Sequence, residues 1–133
     1  MITAVDTSVL LDVFASDQAH LAASQAALRR CIKEGRLIIS EVVLAELRPC
    51  FKDRDTLNDA LEQLEIEFVP ISAEAAYLAG EAWKKYRESG NKRDHLIPDF
   101  LIAAHAVCLA DRLLSRDRGF FRGYFGKLKL FEP

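Results

Sequence analysis

Short apolar runs recur along this chain, each followed by a stretch whose apolar residues repeat at helical spacing, and that alternation excludes most architectures. ITAV at 2–5 is the first run. Asp17 stands at an N-cap position for a helix that carries Leu21, Leu28 and Ile32 on one face and stops at Gly35. A second run at 37–39 is closed by Ser40 as an N-cap, and a short helix over 42–48 ends at Pro49. A helix over 56–65 and a strand over 66–69 follow. Ser72 then caps a long helix in which Ala75, Ala79, Ala82, Trp83 and Tyr86 recur at helical spacing until Gly90. Pro98 suits the first turn of another helix reaching about Ala110, and 112–115 and 129–131 supply the last strands. Alternating strands and helices imply a parallel sheet covered on both faces, so the sequence predicts an α/β fold, a three-layer α/β/α sandwich.

A chain of 133 residues buries about two thirds of the surface its unfolded form exposes, enough for one core, and a single domain over 1–133 is expected. No window approaches the roughly 18 consecutive apolar residues of a membrane span, and no basic stretch followed by an apolar segment opens the chain. A cytoplasmic protein is expected. Cys31, Cys50 and Cys108 are odd in number and far apart, with no CxxC pair or neighbouring histidine. They read as reduced, mostly buried thiols rather than disulfide or zinc ligands.

The net charge of -2 conceals a division along the chain. Residues 41–74 hold nine acids against three bases, residues 112–129 six bases against Asp117, and residues 84–93 five bases against Glu88. The asymmetry suits a polyanion lying against the basic part, and equally suits a solvated mixed surface.

Ligands of open parallel sheets bind outside the carboxyl ends of the strands, which is where isolated charges matter. Four carboxylates belong there: Asp6 directly after the first strand, Glu46 on the helix after the second, Asp99 opening the helix before the fourth, and Asp117 following the fourth. Singly, each suits an ordinary role as a cap, an exposed helical acid or a first-turn acid. Together they would repel one another, and a fold tolerates such a cluster only where a cation neutralises it. All-oxygen ligands point to a hard ion, Mg²⁺ or Mn²⁺, which commonly bridges to phosphate. One such ion, or a pair roughly 3.5 to 4 Å apart, can support in-line attack of water on a phosphodiester.

At these residues the sequence resembles the PIN-domain ribonucleases, especially the VapC-type toxins of prokaryotic toxin-antitoxin pairs. "VDTSVLLDVF", "SEVVLAEL", "PDFLIAAHA" and "LLSRDRGFF" with a terminal "LKLFEP" follow the order and spacing of that family's acidic motifs over nearly the whole chain. Ser115 and His105 each stand where many relatives have threonine. The resemblance implies a PIN-like fold and a Mg²⁺- or Mn²⁺-dependent endoribonuclease acting on RNA. Asp6, Glu46, Asp99 and Asp117 would be its catalytic, metal-binding tetrad, Asp6 and Asp99 innermost and the other two acting directly or through water. It further implies a homodimer silenced by a small antitoxin protein.

Thr7, Ser8 and Ser115 are secondary candidates, since their hydroxyls can hold a ligand carboxylate in place; the first two are equally good helix caps. Arg116 can grip a phosphate bidentately or face solvent. His95 lies in an expected loop and suits the surface, and His105, on another helical face from Asp99, suits the core. Asp12, well inside the first helix, and Asp94, in the basic loop, stand outside the cluster. Trp83 and Tyr86 read as a packed helix face rather than base-stacking rings. Two other functions compete: a phosphotransferase with an aspartate nucleophile, disfavoured by Ser8 where an Asp-x-Asp motif needs its second acid, and a non-catalytic module of the same fold that binds RNA or protein.

Overall fold

Strands and helices alternate in a computed structural model of the chain, which describes residues 1–90, 95–116 and 120–133. The order is β1 (Ile2–Val5), α1 (Thr7–Phe14), α2 (Leu21–Glu34), β2 (Arg36–Ile39), α3 (Glu41–Leu47), α4 (Arg54–Gln63), β3 (Ile66–Phe68), α5 (Ala73–Glu88), α6 (Ile97–Leu109), β4 (Arg112–Leu114) and β5 (Leu130–Phe131). All pairings are parallel, in the order β3-β2-β1-β4-β5. The predicted three-layer α/β/α sandwich is the observed fold.

The central strands are apolar along their length because helices cover both faces. Ala4, Val5, Leu37, Ile38, Ile39, Leu113 and Leu114 are all buried, as are Val9 and Leu10 of α1 and Phe100, Ala103 and Ala104 of α6. Helix ends follow local chemistry. Asp53 caps α4 by accepting from Thr56 N, three residues before the expected start, and Ser72 caps α5 by accepting from Ala75 N. Asp17 accepts from the backbone of Ala19 and His20, closing the turn that precedes α2, so that helix begins three residues later than a cap at Asp17 implies. Pro49 ends α3 by tightening the chain into a 3-10 turn over Arg48–Cys50.

Of the thiols, Cys31 is buried, Cys108 half-buried and Cys50 exposed, the last because it sits on that turn. Trp83 and Tyr86 differ too: Tyr86 is buried on the α5 face against α6, whereas Trp83 is only half-buried.

The chain reverses its winding at β1. From β1 it moves outward through β2 to β3, then crosses back by α5 and α6 to place β4 on the free side of β1. The Val5 to Leu114 register puts the first residues beyond both strands, Asp6 and Ser115, side by side at this switch point.

Candidate functional site

Asp6 occupies the N-cap of α1, with extended backbone, but its carboxylate makes no capping bond. Its Oδ2 accepts from Ser115 Oγ at 2.6 Å and from Ser8 Oγ at 3.1 Å. Burial pushes its pKa up; those hydroxyls pull it partly back, and the neighbouring charge of Asp99 raises it again. Among the described residues no cation pairs with it. A half-buried, desolvated carboxylate in this condition is costly, and the cost falls when a positive charge arrives.

Asp99 lies in the first turn of α6, after Pro98. Its Oδ2 accepts from Leu96 N at 3.0 Å, so one oxygen closes the helix start, the role a first-turn acid ordinarily plays. Glu46 is exposed on α3, and its Oε1 accepts from Thr7 Oγ1 at 2.7 Å. Thus Thr7, Ser8 and Ser115 each donate to a candidate carboxylate. These bonds tie the start of α1 to α3 and to the ends of β1 and β4. Asp117 lies outside the described residues, as does Asp94.

Arg116 is placed differently from its expected grip on phosphate. Its Nε donates to Asp12 Oδ2 at 2.7 Å and its Nη2 to Asp12 Oδ1 at 2.9 Å, with Ser24 Oγ also donating to Oδ2 at 2.7 Å. Asp12 is 2% exposed. Asp12 stands outside the expected acidic cluster, although a lone acid inside the apolar run VLLDVF needs a buried partner, and that is the sequence signal pointing to it.

Among the described residues, the group whose ligand atoms all lie within 4.8 Å of one another is Asp12, Asp17 and His20, not the carboxylates at the switch point. Both oxygens of Asp12 already hold the guanidinium of Arg116, which makes this group a poor cation site. Asp6, Glu46 and Asp99 are a looser set of hard oxygen donors, two of them anchored by hydroxyls, and that donor chemistry fits Mg²⁺ or Mn²⁺.

The histidines divide between surface and core. His105 is buried, its Nε2 2.7 Å from Val69 O, and burial holds its pKa below the usual value. His95 is half-buried, its backbone N–H bonded to Tyr86 Oη at 3.1 Å and its ring edge-on to Tyr86 and Phe121.

Residues 3–126 match the family model described as the PIN domain. No curated protein matches the sequence. Solved structures share the fold, three of them as follows. VapBC2 from Rickettsia felis, bound to a DNA fragment from its promoter, is 24% identical over 99% of this chain and 98% of that one, with a TM-score of 0.73. VapBC-1 from nontypeable Haemophilus influenzae is 18% identical over 99% of this chain and 98% of that one, with a TM-score of 0.72. A toxin-antitoxin complex from Klebsiella pneumoniae is 19% identical over 97% of this chain and 95% of that one, with a TM-score of 0.67.

Proposed function

We propose that this chain, which belongs to the PIN-domain family, is a divalent-metal-dependent endoribonuclease that hydrolyses RNA phosphodiester bonds as the toxin of a toxin-antitoxin pair. The observation that carries this reading is Asp6: a half-buried carboxylate at the sheet's switch point, released from capping, held by two hydroxyls and raised in pKa by desolvation and by Asp99. Asp6 and Asp99 would hold Mg²⁺ or Mn²⁺ most directly, with Glu46 and Asp117 completing the set. The ion would neutralise these acids and the charge that develops on the phosphodiester.

The protein's own groups act by orientation. Ser115 and Ser8 fix the Asp6 carboxylate, and Thr7 turns Glu46 toward β1, so the acids need little rearrangement to engage a ligand. We assign Arg116 to holding the end of β4 against α1 rather than to phosphate, because its fork is closed on Asp12. That structures of this fold are solved as VapBC and toxin-antitoxin complexes supports a small antitoxin partner, and we extend the reading to a homodimer. No described helix is long and apolar enough to cross a membrane.

Cleavage of a mixed RNA sample by purified protein tests the proposal, with Mg²⁺ or Mn²⁺ against chelator, and with Asp99→Asn as the control for contaminating nuclease. Cutting that needs metal and vanishes in the variant supports it. A wild-type protein that neither cuts RNA nor binds Mn²⁺ would sink it, and a non-catalytic binding module would take its place.

A further inference from the structure

The chain's only tryptophan is not a core residue. Trp83 stands half-buried on α5, stacked on Tyr86 with centroids 6.0 Å apart and meeting Phe100 edge-on at 5.5 Å. One turn further, Arg87 holds its guanidinium 5.9 Å from the Trp83 ring centroid, the range of a cation-π contact. Trp83, Lys84, Arg87 and Glu88 line an open cavity of about 330 Å³. That lies at the low end of pockets that hold small ligands, roughly 300 to 1,000 Å³.

Among the described residues neither Lys84 nor Arg87 forms an ion pair, and Glu88, one turn after Lys84, does not close on it. Lys85 adds a further exposed cation on the same stretch of helix. An indole with two exposed cations beside it, one of them over its ring, matches a flat π system carrying negative charge, and the single acid leaves the cavity's lining net positive. Base stacking on an aromatic ring with phosphate held by Lys and Arg is the common solution for single-stranded nucleic acid. Trp83 packs on Phe100 of α6, the helix whose first turn carries Asp99, so the cavity adjoins that helix.

We propose that Trp83, Lys84 and Arg87 form a nucleotide subsite that binds a base and phosphate of single-stranded RNA flanking the scissile bond. Trp83 stacks on the base; Lys84 and Arg87 hold the phosphate. The identification of the ligand as RNA rests on the nuclease reading above, but the subsite can be judged apart from it.

Because Trp83 is the sole tryptophan, its fluorescence reports the subsite directly. Asp99→Asn protein, which should leave RNA intact, is titrated with short oligouridylate and oligoadenylate. The expected result is saturable quenching. The double variant Lys84→Gln with Arg87→Gln, at exposed positions where folding is not at risk, should weaken binding about tenfold and flatten the salt dependence by roughly 0.7 in log-log slope, the value for one lost phosphate contact. In cleavage, Trp83→Leu should raise KM about tenfold, the loss falling on KM rather than kcat. Wild-type cleavage with no quenching, or quenching that the double variant does not weaken, overturns the subsite while the nuclease stands. Quenching sensitive to the double variant with no RNA cut by the wild type keeps the subsite and removes the nuclease. Neither quenching nor cleavage overturns both.

Discussion

Arg116 closes both edges of its fork on the buried carboxylate of Asp12, Nε on Oδ2 at 2.7 Å and Nη2 on Oδ1 at 2.9 Å, across a sequence separation of 104. The two partners are unequally placed, the Asp12 side chain 2% exposed and that of Arg116 33%. Removing Arg116 therefore strands a buried charge, whereas removing Asp12 leaves an arginine that can turn to water. Arg116→Ala should cost about 3 kcal/mol of stability or more, and Asp12→Ala clearly less, as read by urea denaturation. Equal losses would show that the pair is not asymmetric.

Asp6 carries its charge at a cost in stability, because desolvation raises its pKa. Asparagine at this site can still accept from Ser115 and Ser8 but carries no charge into the half-buried position. Asp6→Asn should melt several degrees higher than wild type in chelator at neutral pH, lose the stabilisation that Mn²⁺ gives the wild type, and abolish cleavage. A variant that melts lower than wild type in chelator would show that the carboxylate is not strained by burial.

Ser115 acts on Asp6 through the 2.6 Å bond from its hydroxyl. Ser115→Ala should lower metal affinity or cleavage by about ten- to a hundredfold, and Ser115→Thr should restore much of it, since threonine keeps the donor. Mn²⁺ titration followed by cleavage kinetics separates the two effects. Full activity in Ser115→Ala would remove the hydroxyl from the site's machinery.

His105 makes stability depend on pH. Burial is the main cause of its lowered pKa, opposed by the bond to Val69 O and by the charge of Glu41. The unfolded chain therefore takes up the proton first, beginning near 6.5, while the folded chain resists. Stability is fully present above that pH and should fall as pH drops below it, by at most about 1.4 kcal/mol per pH unit from this group. His105→Gln should show a shallower fall over the same range in denaturant titrations at stepped pH. Identical slopes in variant and wild type would remove His105 as the cause.

Local pattern was enough to lay out the elements. The apolar runs at β1, β2 and β4, the Ser72 cap and the Pro98 start are all properties of a few adjacent residues, and side-chain direction along a strand or helix follows from the backbone. Alternation then implied a parallel sheet, and a parallel sheet implied where to look for acids. Where local signals compete, boundaries differ: α4, capped by Asp53, starts at Arg54 rather than Thr56, and Asp17 closes a turn instead of opening α2.

Strand order and the contacts that depend on it were decided only in three dimensions. Alternation is satisfied by several orders, and it is the crossing of α5 and α6 back over the sheet that seats β4 beside β1 and brings Ser115 to Asp6. The same crossing brings Arg116 to Asp12. On α5, helical spacing put Trp83 and Tyr86 on one face; the position of α6 buried Tyr86 and left Trp83 at the edge. Periodicity determines which way a side chain points, but what it meets there depends on which distant segment packs against it, and that choice belongs to the whole chain.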